Sequence, residues 1–206
     1  MALKSIRYLL TTSILLILLS LMMPTGNVHA MSDGRDGTSL PGLDAFTRLV
    51  GNGQPDELRG VYIPGILAAP IVQQPDGRDD FVSPWQNYIT QFSMASQFGS
   101  TGLLAHNYLA GESFYHLRQG QEIHLVFGDG RIETFVVSEI LRFQALDPLS
   151  ISSSFMDLDT QGRLTYVDLF ARVYNQPGQV VFQTCIEQDG NTSWGRLFVI
   201  AGPSPS

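Results

Sequence analysis

Cys185 and Arg196 sit on either side of an Asp189-Gly190-Asn191 turn signal, each within an apolar run, in the stretch Gln179 to Ala201. β-Branched and aromatic residues flanking such a turn predict a β-hairpin. With Gly190-Asn191 as the two turn residues, Cys185 lies directly opposite Arg196. With Asp189-Gly190 it faces Trp194, and Arg196 becomes its diagonal neighbour on the same face. A loop with an odd residue count, or a bulge, would put the two on opposite faces. A guanidinium beside a thiol favours the thiolate, the form that attacks carbon. The competing reading is a small cysteine buried in a strand, with Arg196 turned to solvent. A nucleophilic cysteine also needs a histidine that is near in space, though not in sequence. The best candidate is His106, which ends the apolar run Gly102-Leu103-Leu104-Ala105.

Together these residues carry a resemblance. Thr184-Cys185 closing an apolar strand, Arg196 on the strand that follows and His106 well upstream, in a chain of short strands, resemble the sortase family of cysteine transpeptidases. The family pattern before the cysteine is Thr-Leu-x-Thr-Cys. Here the chain reads Val181-Phe182-Gln183-Thr184-Cys185, so Thr184 and Cys185 match. Ala105 stands where the family usually has glycine before the histidine. Val61-Tyr62-Ile63-Pro64 followed by Ala69-Pro70-Ile71-Val72 is similar to the family's opening strands, and the resemblance runs from Leu58 to Ala201.

The resemblance implies an all-β fold, a closed or nearly closed β-barrel with one or two short flanking helices, over a catalytic domain at 58–206. It implies that the Cys185 thiolate attacks a backbone carbonyl in a sorting motif of an exported protein and forms a thioacyl-enzyme. His106 then acts as general acid and base, and Arg196 as hydrogen-bond donor to substrate or oxyanion. Its partners would be exported substrates and an amine acceptor on the cell wall or a pilin. Neither cofactor nor metal is expected. Two other readings remain: a thiol hydrolase on the same scaffold, and a catalytically idle β-barrel binding module. Serine-hydrolase, P-loop and dinucleotide chemistry lack their motifs in this chain.

The rest of the chain must deliver and position these groups. Lys4 and Arg7 precede an apolar run from Tyr8 to Met23, and Val28-His29-Ala30 offers a cleavage site, so residues 1–30 read as a signal peptide, with retention as a membrane anchor the alternative. The protein is therefore expected outside the cytoplasm, secreted or held at the outer face of the membrane. One cysteine cannot form an internal disulfide there. A formal net charge of −7 argues against nucleic acid or an anionic surface as partner. Residues 31–57, rich in Gly, Asp, Ser and Pro, read as a linker in which Leu43, Phe46, Leu49 and Val50 could form one or two amphipathic turns.

Further along, Ser83 to Phe98 predicts a helix, with Ser83 as cap, Pro84 in the first turn, and Trp85, Tyr88, Ile89, Phe92 and Ala95 on a buried face before Gly99. Gln121–Phe127 and Arg131–Leu141 around Gly128-Asp129-Gly130 predict a second hairpin. His116, Glu122 and His124 lack the close spacing of a metal site and read as surface residues. Asp157 to Asp168 resembles a weakened calcium loop, competing with a polar turn followed by a helix from Tyr166 to Tyr174, capped by Thr165 with Asp168.

Overall fold

A computed structural model describes residues 40–204. The signal peptide expected at residues 1–30 lies outside them. Among the described residues, no helix is long and apolar enough to cross a membrane.

Ten strands form one sheet. In chain order they are β1 (Leu58–Ile63), β2 (Leu67–Gln73), β3 (Ile89–Phe92), β4 (Thr101–Leu104), β5 (Glu122–Phe127), β6 (Ile132–Ala145), β7 (Phe155–Asp157), β8 (Arg163–Leu164), β9 (Val180–Gln188) and β10 (Asn191–Pro203). The spatial order is β10-β9-β4-β3-β2-β1-β5-β6-β7-β8, and β10 also pairs with β6. That extra pairing closes eight strands into a barrel and leaves β7 and β8 as an extension. Closure removes the two edges at which backbone donors and acceptors would otherwise go unpaired. The expected closed barrel is thus present.

Period-two alternation sorts the side chains. Val61, Ile63, Ile71, Leu103, Leu125 and Phe182 are among those filling the barrel interior, each 1% exposed or less. A second apolar layer lies outside the barrel wall. There the helix α3 (Tyr166–Tyr174) lays Leu169, Val173 and Tyr174 against Val181, Phe198 and Ile200. Its capping box is complete, with Asp168 N–H donating to the Thr165 hydroxyl and Thr165 N–H donating to the Asp168 carboxylate. The polar-turn-and-helix reading of this segment therefore holds. Its carboxylates have structural duties: Asp157 accepts from the N–H groups of Asp159 and Thr160, and Asp159 pairs with Arg142. No group of three His, Cys, Asp or Glu side chains among the described residues is arranged to hold a metal ion.

Within the stretch read as linker, α1 (Leu43–Val50) buries Phe46 and Val50 against Val126. Gly60 makes room for it, since a Cβ there would lie 2.8 Å from the Phe46 ring. This cover also explains why Val126, on the nominally outward face of β5, is fully buried.

The helix expected over Ser83 to Phe98 is the main correction. Ile89–Phe92 is instead strand β3, parallel to β2 and antiparallel to β4, and only the turn α2 (Ser93–Ser96) is helical. Asn87 at φ 63° interrupts any helix upstream. Trp85 and Tyr88, assigned to a buried face, are exposed. Ser83 does not cap a helix; its hydroxyl accepts from Trp85 N–H while its own N–H donates to Thr90 Oγ1. The physical reason is non-local: β2 and β4 need a strand between them to close the barrel, and that demand outweighs a helical spacing of apolar residues. Gly99, at φ 77°, does end the helical turn as expected.

Candidate active site

The β9–β10 hairpin combines the two registers that the sequence allowed. At its tip Asp189 (φ 52°) and Gly190 (φ 78°) are both left-handed, as a two-residue hairpin turn of matching twist requires, and Gln188 pairs with Asn191. The register then shifts between Asn191 and Gly195, and β10 re-enters the ladder with Gly195 opposite Ile186 and Arg196 opposite Cys185. From one pair to the next β9 advances two residues and β10 four, so the bulge adds an even number and keeps both side chains on one face.

Backbone directions tighten this pair. Ala105 N–H donates to the Gln183 carbonyl, so Gln183 and, by alternation, Cys185 aim their backbone groups toward β4 and away from β10. Cys185 and Arg196 are therefore a non-hydrogen-bonded pair, the kind whose side chains stand closest, with Cα atoms typically ~4.5 Å apart. Val180, Phe182 and Ile186 point into the barrel core, whereas Val181 belongs to the outer layer. Cys185 shares that outer face and is half-buried.

The bulge also holds the guanidinium. Arg196 Nη1 donates to the Ser193 carbonyl (3.0 Å) and the Gly195 carbonyl (2.8 Å). Its other nitrogens make no hydrogen bond among the described residues. Glycine is required at 195, because a Cβ there would lie 2.5 Å from the Phe143 carbonyl oxygen of the neighbouring strand.

His106 arrives from the other side. β4 runs parallel to β9 with Leu104 opposite Gln183, and this register, carried on past Ala105, sets His106 level with Cys185 on the outer face. The chain leaves the sheet there, with the His106 carbonyl accepting from the N–H groups of Leu109 and Gly111. Buried Thr184 donates its hydroxyl to the Ala105 carbonyl at 2.8 Å, tying the two strands one residue before Cys185 and His106. Gly111 closes the turn against both, since a Cβ would meet Thr184 Oγ1 at 2.4 Å and the His106 carbonyl oxygen at 2.6 Å. The imidazole stacks on the exposed Tyr108 ring, with centroids 5.2 Å apart and planes 18° apart. No hydrogen bond joins His106 to Cys185 among the described residues. The structure thus pairs Cys185 with Arg196 directly and brings His106 to the same level from β4.

Two tyrosines complete the surroundings. Tyr174 of α3 donates to Gln183 Oε1 at 2.5 Å, two residues before Cys185 on the same face, and burial pushes its phenol well above the ordinary range, so it stays a donor. Tyr115, on the 3-10 helix Ala110–His116, donates to the Cys185 carbonyl at 2.6 Å. Tyr115, Gly111 and Gly195 are absent from the candidates read from the sequence. Glycines at the two chain departures were the only signal of the latter two, and nothing local marks Tyr115. A cavity of about 310 Å³ opens between Phe114, Tyr115, Leu117, Ile140, Arg142 and Leu197. Leu197 packs into the barrel core, so this cavity lies behind the wall that carries Cys185.

No protein-family profile matches the chain, and no curated protein matches it. Similar solved structures are sortases of several kinds. Sortase C1 from Streptococcus suis is 16% identical, with 80% of this chain and 79% of that one covered at a TM-score of 0.49. Sortase C-1 from Actinomyces oris is 15% identical over 81% and 83% of the two chains at 0.49. Sortase A from Listeria monocytogenes is 10% identical over 72% and 87% at 0.44. These overlaps of backbone are partial, and the chemistry of the site rests on this chain's own residues.

Proposed function

We propose that Cys185, His106 and Arg196 are the catalytic set of a sortase-type cysteine transpeptidase acting outside the cytoplasm. The observation that carries this reading is the cross-strand pairing of Cys185 with Arg196, with β4 delivering His106 level with them. A histidine carried to the same face supplies acid–base chemistry.

The proposed steps are as follows. The thiolate attacks a backbone carbonyl carbon of an exported protein, and the oxygen gains the charge. The free Arg196 donors stabilise that oxyanion, while the bulge carbonyls hold the guanidinium in advance so that little reorganisation is needed. Collapse breaks the C–N bond, His106 gives its proton to the departing amine, and a thioester remains on Cys185. An incoming amine, on a cell-wall component or a pilin subunit, then loses a proton to His106, attacks the thioester and expels the thiolate. Water in place of that amine gives hydrolysis.

The test is to incubate the purified protein with a peptide library and an amine acceptor and to follow thioacyl adducts and transferred products by mass spectrometry. An adduct on Cys185, absent in Cys185→Ala, and amide products that need the amine are expected. A library that yields neither transfer nor hydrolysis would refute the reading.

A further inference from the structure

Parallel pairing of β4 with β9 gives the carbonyls of β9 their donors only as far as Gln183, which accepts from Ala105 N–H. The next donor in that ladder would be Asn107 N–H, reaching the carbonyl of Cys185. The chain cannot supply it, because it has already turned at His106 toward Leu109 and Gly111. Tyr115 fills the gap: its hydroxyl donates to the Cys185 carbonyl at 2.6 Å, from a helix that packs along β9 and is pinned to it by the close approach of Gly111 to Thr184.

We infer that Tyr115 is a positioning residue for the proposed reaction, its hydroxyl replacing the missing strand donor so that β9 keeps Cys185 level with His106 after β4 has left the sheet. Departure of β4 is what frees His106 for chemistry, and it also removes the restraint on the nucleophile's own backbone. One phenol restores that restraint without a strand. The donor persists across the working pH range, because burial, together with the nearby Cys185 and Glu187, raises the Tyr115 pKa above its ordinary value of 10.0. The charged or titratable groups around Cys185 are then Arg196 from β10, His106 from the end of β4, Tyr115 from the 3-10 helix and Glu187 on β9 itself.

This inference rests on the proposed transpeptidase reading, and one experiment separates their failures. The rate of Cys185 alkylation against pH is measured for the full chain, Tyr115→Phe, His106→Ala and the double variant. Tyr115→Phe removes a single oxygen and leaves the ring. The expected result is that His106→Ala changes the rate profile of the otherwise wild-type chain, and does so roughly 3- to 10-fold less when introduced together with Tyr115→Phe. An equal effect in both backgrounds overturns the inference alone. No effect in either overturns the catalytic reading, and the inference with it. The single cysteine gives a second readout that needs no activity, since carbonyl-¹³C cysteine labels one position. Its resonance should move upfield in Tyr115→Phe, and an unmoved resonance would overturn the hydrogen bond on which the role depends.

Discussion

Two hairpins share the long strand β6 or lie against it, and they differ in one respect. In β5–β6 the register runs without a break from Glu122 opposite Val136 to Val126 opposite Ile132. In β9–β10 it shifts by a two-residue bulge just before Arg196. The regular hairpin turns its alternation wholly to packing, with Ile123 and Leu125 inward and Val126 under α1. Because the bulge takes Ser193 out of the ladder, its carbonyl, with that of Gly195 where pairing resumes, can clasp a guanidinium beside a thiol. Irregularity in a barrel strand thus marks the place where backbone has been diverted from the sheet toward a side chain.

The largest contrast should come from deleting the reactive atoms. Cys185→Ala is expected to lower transfer by roughly 10³-fold or more with the fold intact. Arg131→Ala in the regular hairpin removes a guanidinium lying 3.7 Å over the Phe127 ring and should cost under ~1 kcal/mol of stability, with transfer unchanged. Equal losses of transfer from both would erase the distinction. Arg196→Lys keeps the charge but loses the planar fork that bonds the bulge carbonyls and the oxyanion together. Transfer should fall ~10²-fold at nearly constant thermal midpoint.

Glycines sharpen the comparison further. Gly195→Ala forces a Cβ against the Phe143 carbonyl, so a loss of ~1–3 kcal/mol in denaturant titration is expected, with transfer impaired as the clasp on Arg196 loosens. Gly130→Ala, at φ 88°, should cost about 1 kcal/mol through backbone strain alone and leave transfer untouched.

The smallest effect concerns Asp157, opposite Phe143 on β6, the strand of one hairpin against which the other pairs. Burial raises its pKa, but hydrogen bonds from Thr160 and Asp159 outweigh this and hold it below the ordinary 3.8. A depressed folded pKa stabilises the protein above that ordinary value and ceases to do so as pH falls through the folded one. Asp157→Asn should therefore flatten the acid limb of the thermal midpoint against pH, with Cys185 alkylation unaltered.

Legibility in the sequence followed the range of the interactions involved. Both hairpins and the Thr165-capped helix were readable, because turn residues, alternation and a capping box are local signals. The proposed trio could be named from types and spacing, and the parity argument for Cys185 and Arg196 survived the bulge because that bulge adds an even number of residues. Strand β3 was not readable: Trp85, Tyr88, Ile89 and Phe92 carry a helical spacing, and only the need for a partner between β2 and β4 makes a strand of Ile89–Phe92. Nor was Tyr115, whose part depends on β4 ending three residues short of the ladder position it fills. Contacts between Tyr115 and Cys185, 70 residues apart, leave no local trace.

The most direct test of a working thiol at Cys185 is its alkylation rate against pH, compared among the wild-type protein, His106→Ala and Arg196→Ala. A reactive thiol whose pH profile changes when either side chain is removed is the expected result. A slow, featureless rate indifferent to both substitutions would show a packed core cysteine, and the transpeptidase proposal would fall.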